Sequence, residues 1–159
     1  MESTPGQGAR FTIYLPRVEA VVGPAPAEVK PEEALLGSET ILLVEDEQGV
    51  RDLAQEVLQA KGYRVLEARH PGEALLLGER YVGPIHLLVT DLRMPQMNGL
   101  ELSERLLTYR PDLKVLFISA YSEAIIGPSG PLHQGTPLLE KPFLPDALWR
   151  KVREVLDAA

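Results

Sequence analysis

The 159-residue sequence has no cysteine. Disulfide frameworks, thiolate metal sites and cysteine nucleophiles are therefore excluded. The sequence also has no run of about eighteen apolar residues, the length that a membrane-spanning helix needs. Its N-terminus lacks the basic and apolar segments of a secretory signal. These absences favour a cytoplasmic protein.

Positive charge is also in short supply. The sequence has 16 Lys and Arg against 23 Asp and Glu, which gives a formal net charge of −7. Nucleic-acid binding relies on clustered Lys and Arg, so this balance argues against a nucleic-acid partner. No GxxxxGK[ST] loop of a P-loop nucleotide site occurs in the sequence. His70, His86 and His133 lack the spacing of a metal pair, and we expect structural or solvated roles for them.

From residue 39 onward the sequence alternates apolar strands with amphipathic helices. Continuous apolar runs such as "TILLVED" and "IHLLVTD" are typical of strands buried on both faces. The alternation predicts a doubly wound α/β domain with a five-stranded parallel sheet. The predicted elements are strand 40–46, helix 48–61 closed by Gly62, strand 63–68, helix 71–79, strand 85–91, a helix through Leu102 and Leu106 that ends before Pro111, strand 113–119, strand 136–140 and a last helix through Leu148 and Val155.

Polar side chains stand at the ends of four of these strands. Glu45 and Asp46 end the first strand, Asp91 the third and Ser119 the fourth, while the fifth leads into Lys141. Taken singly, each could be an ordinary loop or surface residue, but the carboxyl ends of parallel strands share one sheet edge, where sites of such folds lie. Mg²⁺ takes oxygen ligands such as carboxylates. The set therefore predicts a magnesium site beside an Asp91 carboxylate that can attack a phosphoryl group.

Four sequence blocks resemble the signature blocks of the response-regulator receiver domain of two-component signalling. They are "LLVEDE", "VTDLRMPQMNG", "FISAYS" and "LEKPF", in that order, within residues 39 to 158. The resemblance implies a flavodoxin-like sheet of strand order 2-1-3-4-5 and an often cis peptide bond before Pro142. It also implies a role for each site residue: Asp91 as phosphoacceptor, Glu45 and Asp46 as metal-binding acids with Asp91, Arg93 as a metal ligand through its backbone carbonyl, Ser119 as switch hydroxyl and Lys141 as phosphate-contacting lysine.

Two positions depart from the family pattern. Leu138 stands where the family usually has an aromatic switch residue, and Tyr121 either substitutes in part or lines the rim of the site. The segment "EAIIGPSGPLHQG" replaces the usual fourth amphipathic helix, and its Gly and Pro residues predict an irregular one. The relay from the phosphorylation site to the output surface is therefore expected to differ from that of the family.

The N-terminal residues carry a second resemblance. "GQGARFTIYLP", residues 6 to 16, is similar to the last hairpin strand of the ATP-binding domain of histidine kinases, and no neighbouring strand is evident beside it. Residues 17 to 38 are rich in Pro, Ala and Glu, which predicts a linker. We therefore expect three parts: a kinase remnant at 1–16, a linker at 17–38 and a receiver domain at 39–159.

This division indicates the C-terminal part of a hybrid histidine kinase. The nucleotide-binding boxes are missing from the chain, so catalysis is limited to its own phosphorylation and dephosphorylation. Two alternatives remain: a free-standing single-domain response regulator, and a phosphorylation-independent interaction module. The resemblance implies a histidine kinase phosphodonor domain as partner, in the same or another chain, and a histidine phosphotransfer protein as a further one. The bare N-terminal strand could form a dimer, and a parent kinase could be attached to a membrane.

Overall fold

The computed structural model describes residues 2–4, 8–10, 37–120 and 135–158. The chain divides into two compact units, Met1–Glu33 and Ala34–Ala159. The elements in chain order are β1 Glu2–Thr4, β2 Gly8–Arg10, β3 Thr40–Val44, α1 Gln48–Ala60, β4 Arg64–Ala68, α2 Pro71–Arg80, β5 Leu87–Asp91, α3 Gly99–Tyr109, β6 Lys114–Ser119, β7 Leu138–Glu140 and α4 Pro145–Asp157. Each predicted element of the α/β domain is present, with ends within a few residues of the prediction.

The first unit contains a small antiparallel hairpin. Strand β1 pairs with β2, and Thr4 lies opposite Gly8 in the register. The expectation that no neighbouring strand is at hand is therefore wrong for residues 8–10, because Glu2–Thr4 supplies one. The rest of the predicted N-terminal strand, residues 11–16, and nearly all of the predicted linker, residues 17–36, lie outside the described residues.

The second unit is built on a five-stranded parallel sheet in the order β4-β3-β5-β6-β7. Numbered within the sheet, this is the order 2-1-3-4-5, so the predicted flavodoxin-like fold is confirmed. Strands β3 and β5 lie at the centre and every one of their residues is buried. Their uninterrupted apolar runs follow from this position, because both faces of a central parallel strand are covered.

Helices cover both faces of the sheet. Alternate residues of a strand point to opposite faces. Ile41 of β3 accordingly packs with residues of α1 and α4, whereas Leu42 packs with residues of α2 and α3. In the part of the chain that the structure describes, no helix is long and apolar enough to cross a membrane. The result is a three-layer domain whose strands all point their carboxyl ends to one edge.

Several predicted local features are present. Helix α1 ends at Ala60 with Lys61 as its C-cap, and Gly62 has the positive φ of 90° expected of a residue that closes a helix. The peptide bond between Lys141 and Pro142 is cis. His70 accepts a hydrogen bond from the Glu73 N–H at the start of α2. His86 accepts one from the Thr40 N–H, so both of these histidines have structural roles.

Two expectations fall outside the described residues. The irregular segment predicted in place of the family's fourth helix is residues 123 to 135, and all of it up to residue 134, His133 included, lies outside the described residues. The described chain resumes at Gly135, which has a positive φ of 95° and leads into β7. Within the described part of the α/β domain, four helices accompany the five strands.

Candidate functional site

The predicted site residues gather at the carboxyl edge of the sheet. Glu45 and Asp46 follow β3, Asp91 is the last residue of β5, Ser119 is the last residue of β6, and Lys141 directly follows β7. The ladder pairs Asp91 with Ile118, one residue before Ser119. The strands are parallel and in register, so residues from four distant places in the sequence come to one small surface.

The Lys141 ammonium lies between two of the carboxylates. Its Nζ is 2.5 Å from Asp91 Oδ2 and 2.7 Å from Glu45 Oε2. The Glu45 side chain is 1% exposed and the Asp91 side chain 12% exposed. The backbone N–H of Lys141 also donates to the Ser119 carbonyl at 2.8 Å. The side chain of Lys141 therefore contacts two of the acids, and its main chain contacts the end of β6.

Burial and pairing act in opposite directions on these charges. Burial raises the pKa of Glu45, and the nearby Asp91 charge adds to this rise, although the bond from Lys141 acts against it. Burial alone would lower the pKa of Lys141, but its bonds to Asp91 and Glu45 outweigh that effect and leave the pKa raised. Lys141 is therefore a permanent cation at neutral pH and neutralises part of the acidic edge.

Three carboxylates of this edge form a group that suits a metal ion. One oxygen each from Glu45, Asp46 and Asp91 lies within 4.8 Å of the other two. Oxygens that share one Mg²⁺ sit at about 2.1 Å from the ion, so they are at most about 4 Å apart. Three hard oxygen donors grouped in this way suit Mg²⁺. Glu45 is buried and Asp46 is exposed, so the group is open to solvent on one side.

The Asp91 side chain is held by a main-chain donor as well as by the lysine. The Arg93 N–H donates to Asp91 Oδ1 at 2.8 Å, while Oδ2 accepts from Lys141. The Gly99 N–H donates to the Leu92 carbonyl at 3.1 Å and turns the loop back onto β5. A Cβ on Gly99 would lie 2.4 Å from the Asp91 carbonyl oxygen. The loop after Asp91 therefore packs so closely that only glycine fits at position 99.

The switch positions are described in part. Ser119 is 1% exposed. Leu138 pairs with Phe117 in the ladder, and both belong to an apolar cluster with Leu92. Tyr121 lies outside the described residues. A buried aromatic ring, Phe117 of β6, therefore lies directly beside Leu138 in the sheet.

Sequence reasoning overlooked one residue beside the site. Arg51 lies in the first turns of α1 and is 7% exposed. Its Nη1 donates to the Glu45 carbonyl at 2.8 Å and has a longer contact of 3.5 Å with the Asp46 carbonyl. The signal was a basic residue five positions after the acidic pair, on the apolar side of a helix, where a charged residue is unusual.

Comparison with known proteins gives a consistent result. Residues 41–153 match the family model described as the response regulator receiver domain. The chain is 36% identical to the sensor kinase CckA of Brucella abortus, in an alignment of 163 positions that covers 98% of this chain and 17% of that protein. It is 33% identical to the response regulator receiver protein CpdR of Brucella abortus, over 75% of this chain and 98% of that protein.

Solved structures agree with these relatives. The receiver domain of the hybrid histidine kinase CckA superposes with a TM-score of 0.63 at 36% identity, covering 74% of this chain and 99% of that structure. A response regulator receiver protein from Sinorhizobium medicae superposes with a TM-score of 0.65 at 25% identity, covering 77% of this chain and 98% of that structure. These matches extend over nearly the whole of each solved domain.

Proposed function

This chain belongs to the response regulator receiver domain family, and on that premise we propose that Asp91 accepts a phosphoryl group from a phosphohistidine. Receiver domains work with histidine kinase or phosphotransfer partners. The observation that carries the proposal is the arrangement of Asp91 itself, with Lys141 on one carboxylate oxygen and the Arg93 N–H on the other. Of the three carboxylates, Asp91 is also the one at the end of the central strand β5.

In the proposed reaction an Asp91 carboxylate oxygen attacks phosphorus. An O–P bond forms, the N–P bond of the phosphohistidine breaks, and the imidazole nitrogen keeps the electron pair. The product is an acyl phosphate on Asp91. Such transfers depend mainly on positioning and on the neutralisation of phosphoryl charge. Lys141 supplies one cation at the site, and the Ser119 hydroxyl is the proposed hydrogen-bond donor to the phosphoryl group.

We further propose Mg²⁺ as the cation held by Glu45, Asp46 and Asp91, with the backbone carbonyl of Arg93 as an additional ligand. The mutual spacing of the carboxylate oxygens within 4.8 Å supports this assignment, and hard oxygen donors are what Mg²⁺ prefers. When bound, the ion would neutralise charge on the phosphoryl oxygens. Lys141 and the Arg93 N–H orient the acceptor carboxylate.

The proposal is tested with acetyl phosphate as a small-molecule donor. Intact-mass measurement should show one added phosphoryl group on the wild-type chain in the presence of Mg²⁺, and none after chelation. Asp91→Asn should abolish the labelling. Asp112→Asn is the matched control, because Asp112 is an exposed aspartate just before β6, at the amino end of that strand. Undiminished labelling of Asp91→Asn would refute the assignment.

We also propose that the chain is the C-terminal part of a hybrid histidine kinase. The alignment with the sensor kinase CckA extends over 98% of the chain, whereas the family model covers only residues 41–153. The alignment therefore includes residues before the receiver domain. An antiparallel hairpin in the first unit supports the same view, because an isolated two-stranded hairpin is marginally stable and needs a partner.

A free-standing response regulator is the second candidate, since CpdR matches the chain over 98% of its own length. The coding sequence upstream of Met1 distinguishes the two. An ATP-binding domain and a phosphodonor histidine encoded there in frame would support the hybrid kinase. A stop codon directly upstream of Met1 would support the free-standing regulator.

A further inference from the structure

A buried arginine contacts the main chain of the acidic edge. Arg51 is 7% exposed and its guanidinium hydrogen-bonds to the main chain of Glu45 at 2.8 Å. Among the described residues its buried Nε has no acceptor. A buried guanidinium with an unpaired N–H is costly, and an apolar side chain would fill the same space at lower cost. Its hydrogen bonds therefore point to a role beyond packing.

The position of Arg51 in α1 adds to this argument. It lies in the first turns of the helix, where the N–H of Arg51 makes the first helical hydrogen bond, to the Glu47 carbonyl at 3.0 Å. A cation near a helix N-terminus is opposed by the helix dipole. The local helix thus gains nothing from a positive charge here, and what the guanidinium contacts is the turn that contains Glu45 and Asp46.

That turn determines where two of the three carboxylates lie. The Glu45 N–H donates to the Ala68 carbonyl at 3.3 Å, and Glu45 Oε1 accepts from the Glu47 N–H at 3.2 Å. The Glu45 carbonyl is bound by Arg51 alone among the described side chains. Asp46 is exposed. Among the described side chains, the one that contacts its main chain is Arg51, whose Nη1 lies 3.5 Å from the Asp46 carbonyl oxygen.

We infer that Arg51 is a positioning residue for the cation site: by fixing the Glu45–Asp46 peptide it sets the spacing of the carboxylates. The inference rests on the proposed function, since it concerns the site proposed for Mg²⁺. A positioning role and a purely electrostatic role predict opposite changes in metal affinity when Arg51 is removed. A buried cation near the carboxylates repels a metal ion, so its removal would tighten the binding of any divalent cation. Loss of positioning weakens binding instead.

Two cations separate positioning from general destabilisation. Mg²⁺ demands a near-octahedral shell at short distances, whereas Ca²⁺ tolerates irregular shells and longer bonds. Arg51→Met should therefore raise the dissociation constant for Mg²⁺ by about tenfold, the lower end of what outer-shell partners of metal ligands contribute. The dissociation constant for Ca²⁺ should change by less than about threefold. A variant that merely unfolds in part would lose both affinities by the same factor.

The experiment is calorimetric titration of the full chain with MgCl₂ and, separately, CaCl₂. Arg105→Met is the matched control, because Arg105 is exposed and pairs with Glu101 on the surface of α3. It removes the same charge and should leave both affinities unchanged. Arg51→Lys retains one donor but loses the guanidinium plane, so its Mg²⁺ affinity should fall by about threefold, between wild type and Arg51→Met.

Each outcome decides the matter. A selective loss of Mg²⁺ affinity in Arg51→Met, with an intermediate Arg51→Lys, supports the inference. Equal changes for both cations, no change, or tighter binding overturn it. If Arg51→Met does not fold, the test is the ratio of the Mg²⁺ and Ca²⁺ dissociation constants of Arg51→Lys. A ratio equal to that of the wild-type chain overturns the inference. A wild-type chain that binds no Mg²⁺ would overturn the proposed cation site as well, whereas wild-type binding with an unaltered Arg51→Met overturns this inference alone.

Discussion

At the scale of single residues, the tightest fit beside the proposed acceptor is at Gly99. A Cβ there would lie 2.4 Å from the Asp91 carbonyl oxygen and 3.1 Å from the Leu92 Cα, both main-chain atoms that cannot rotate away. Gly99→Ala should therefore lower the free energy of unfolding by about 1–3 kcal/mol, the usual cost of overpacking. It should also slow the labelling of Asp91 by acetyl phosphate, because the loop after β5 must shift.

Gly49→Ala is the control for this substitution. Gly49 is exposed in α1 and a Cβ there would meet nothing within 4 Å. The change should raise the free energy of unfolding by up to about 1 kcal/mol, because alanine favours the helix more than glycine does. Urea unfolding measures both variants. Equal stability of Gly99→Ala and wild type would show that the loop adapts and that the close approach does not constrain the site.

The site residues that sequence reasoning found share one property. Glu45, Asp46, Asp91, Ser119 and Lys141 each follow or end a strand, so a correct division into parallel strands is enough to bring them to one edge. Their convergence was therefore predictable from pattern and chemistry. Their individual roles in phosphorylation remain predictions until the labelling experiment is done.

The roles of two further residues at this scale were not predictable. Arg51 stands out in the sequence as a basic residue on the apolar side of a helix, but its contact with the Glu45 carbonyl depends on which way the side chain turns relative to a loop. The constraint on Gly99 arises from main-chain atoms of β5 that come close through tertiary packing. Neither contact follows from a local pattern in the sequence.

At the scale of elements, Arg110 fastens the end of α3 to the end of α2. Its guanidinium donates to the carbonyls of Gly78, Tyr81 and Gly83 at 2.6–2.8 Å. The last carbonyls of a helix lack partners within the helix, so Arg110 caps α2 from its neighbour. Arg110→Met should lower the free energy of unfolding by about 2 kcal/mol, the scale of hydrogen bonds to a charged group that is partly buried.

The measurement is again urea unfolding, with Arg105→Met as control. Arg105 lies on the same helix but forms an exposed pair with Glu101, and exposed pairs contribute about 0.5 kcal/mol. A loss at position 110 no larger than that at position 105 would show that the carbonyls of α2 are satisfied as well by water.

The elements themselves were predicted with small errors at their ends. Central strands could be recognised because burial on both faces requires continuous apolar runs, as in β3 and β5. The N-terminal pairing was missed for the opposite reason. Strands β1 and β2 have three residues each, and Ala9 is the one apolar residue among the six. Their sequences therefore show no alternation of apolar and polar residues from which a strand could be predicted.

At the scale of the whole molecule, the two units are predicted to be energetically independent. The second unit begins at Ala34. The sheet, both apolar layers and the acidic edge are formed within 37–120 and 135–158 among the described residues. The proposed kinase-derived origin of the first unit gives the same expectation, since its hairpin would then belong to a different fold.

Deleting residues 1–33 should therefore change the free energy of unfolding of the receiver domain by no more than about 0.5 kcal/mol, as for changes remote from a core. Labelling of Asp91 by acetyl phosphate should proceed at the wild-type rate. If strands of the hairpin pair between chains, sedimentation should show a concentration-dependent dimer of the full chain that the deletion abolishes. A loss of several kcal/mol, comparable to the stability of a whole domain, would mean that the first unit is part of the receiver fold, and the kinase-derived interpretation of the hairpin would be wrong.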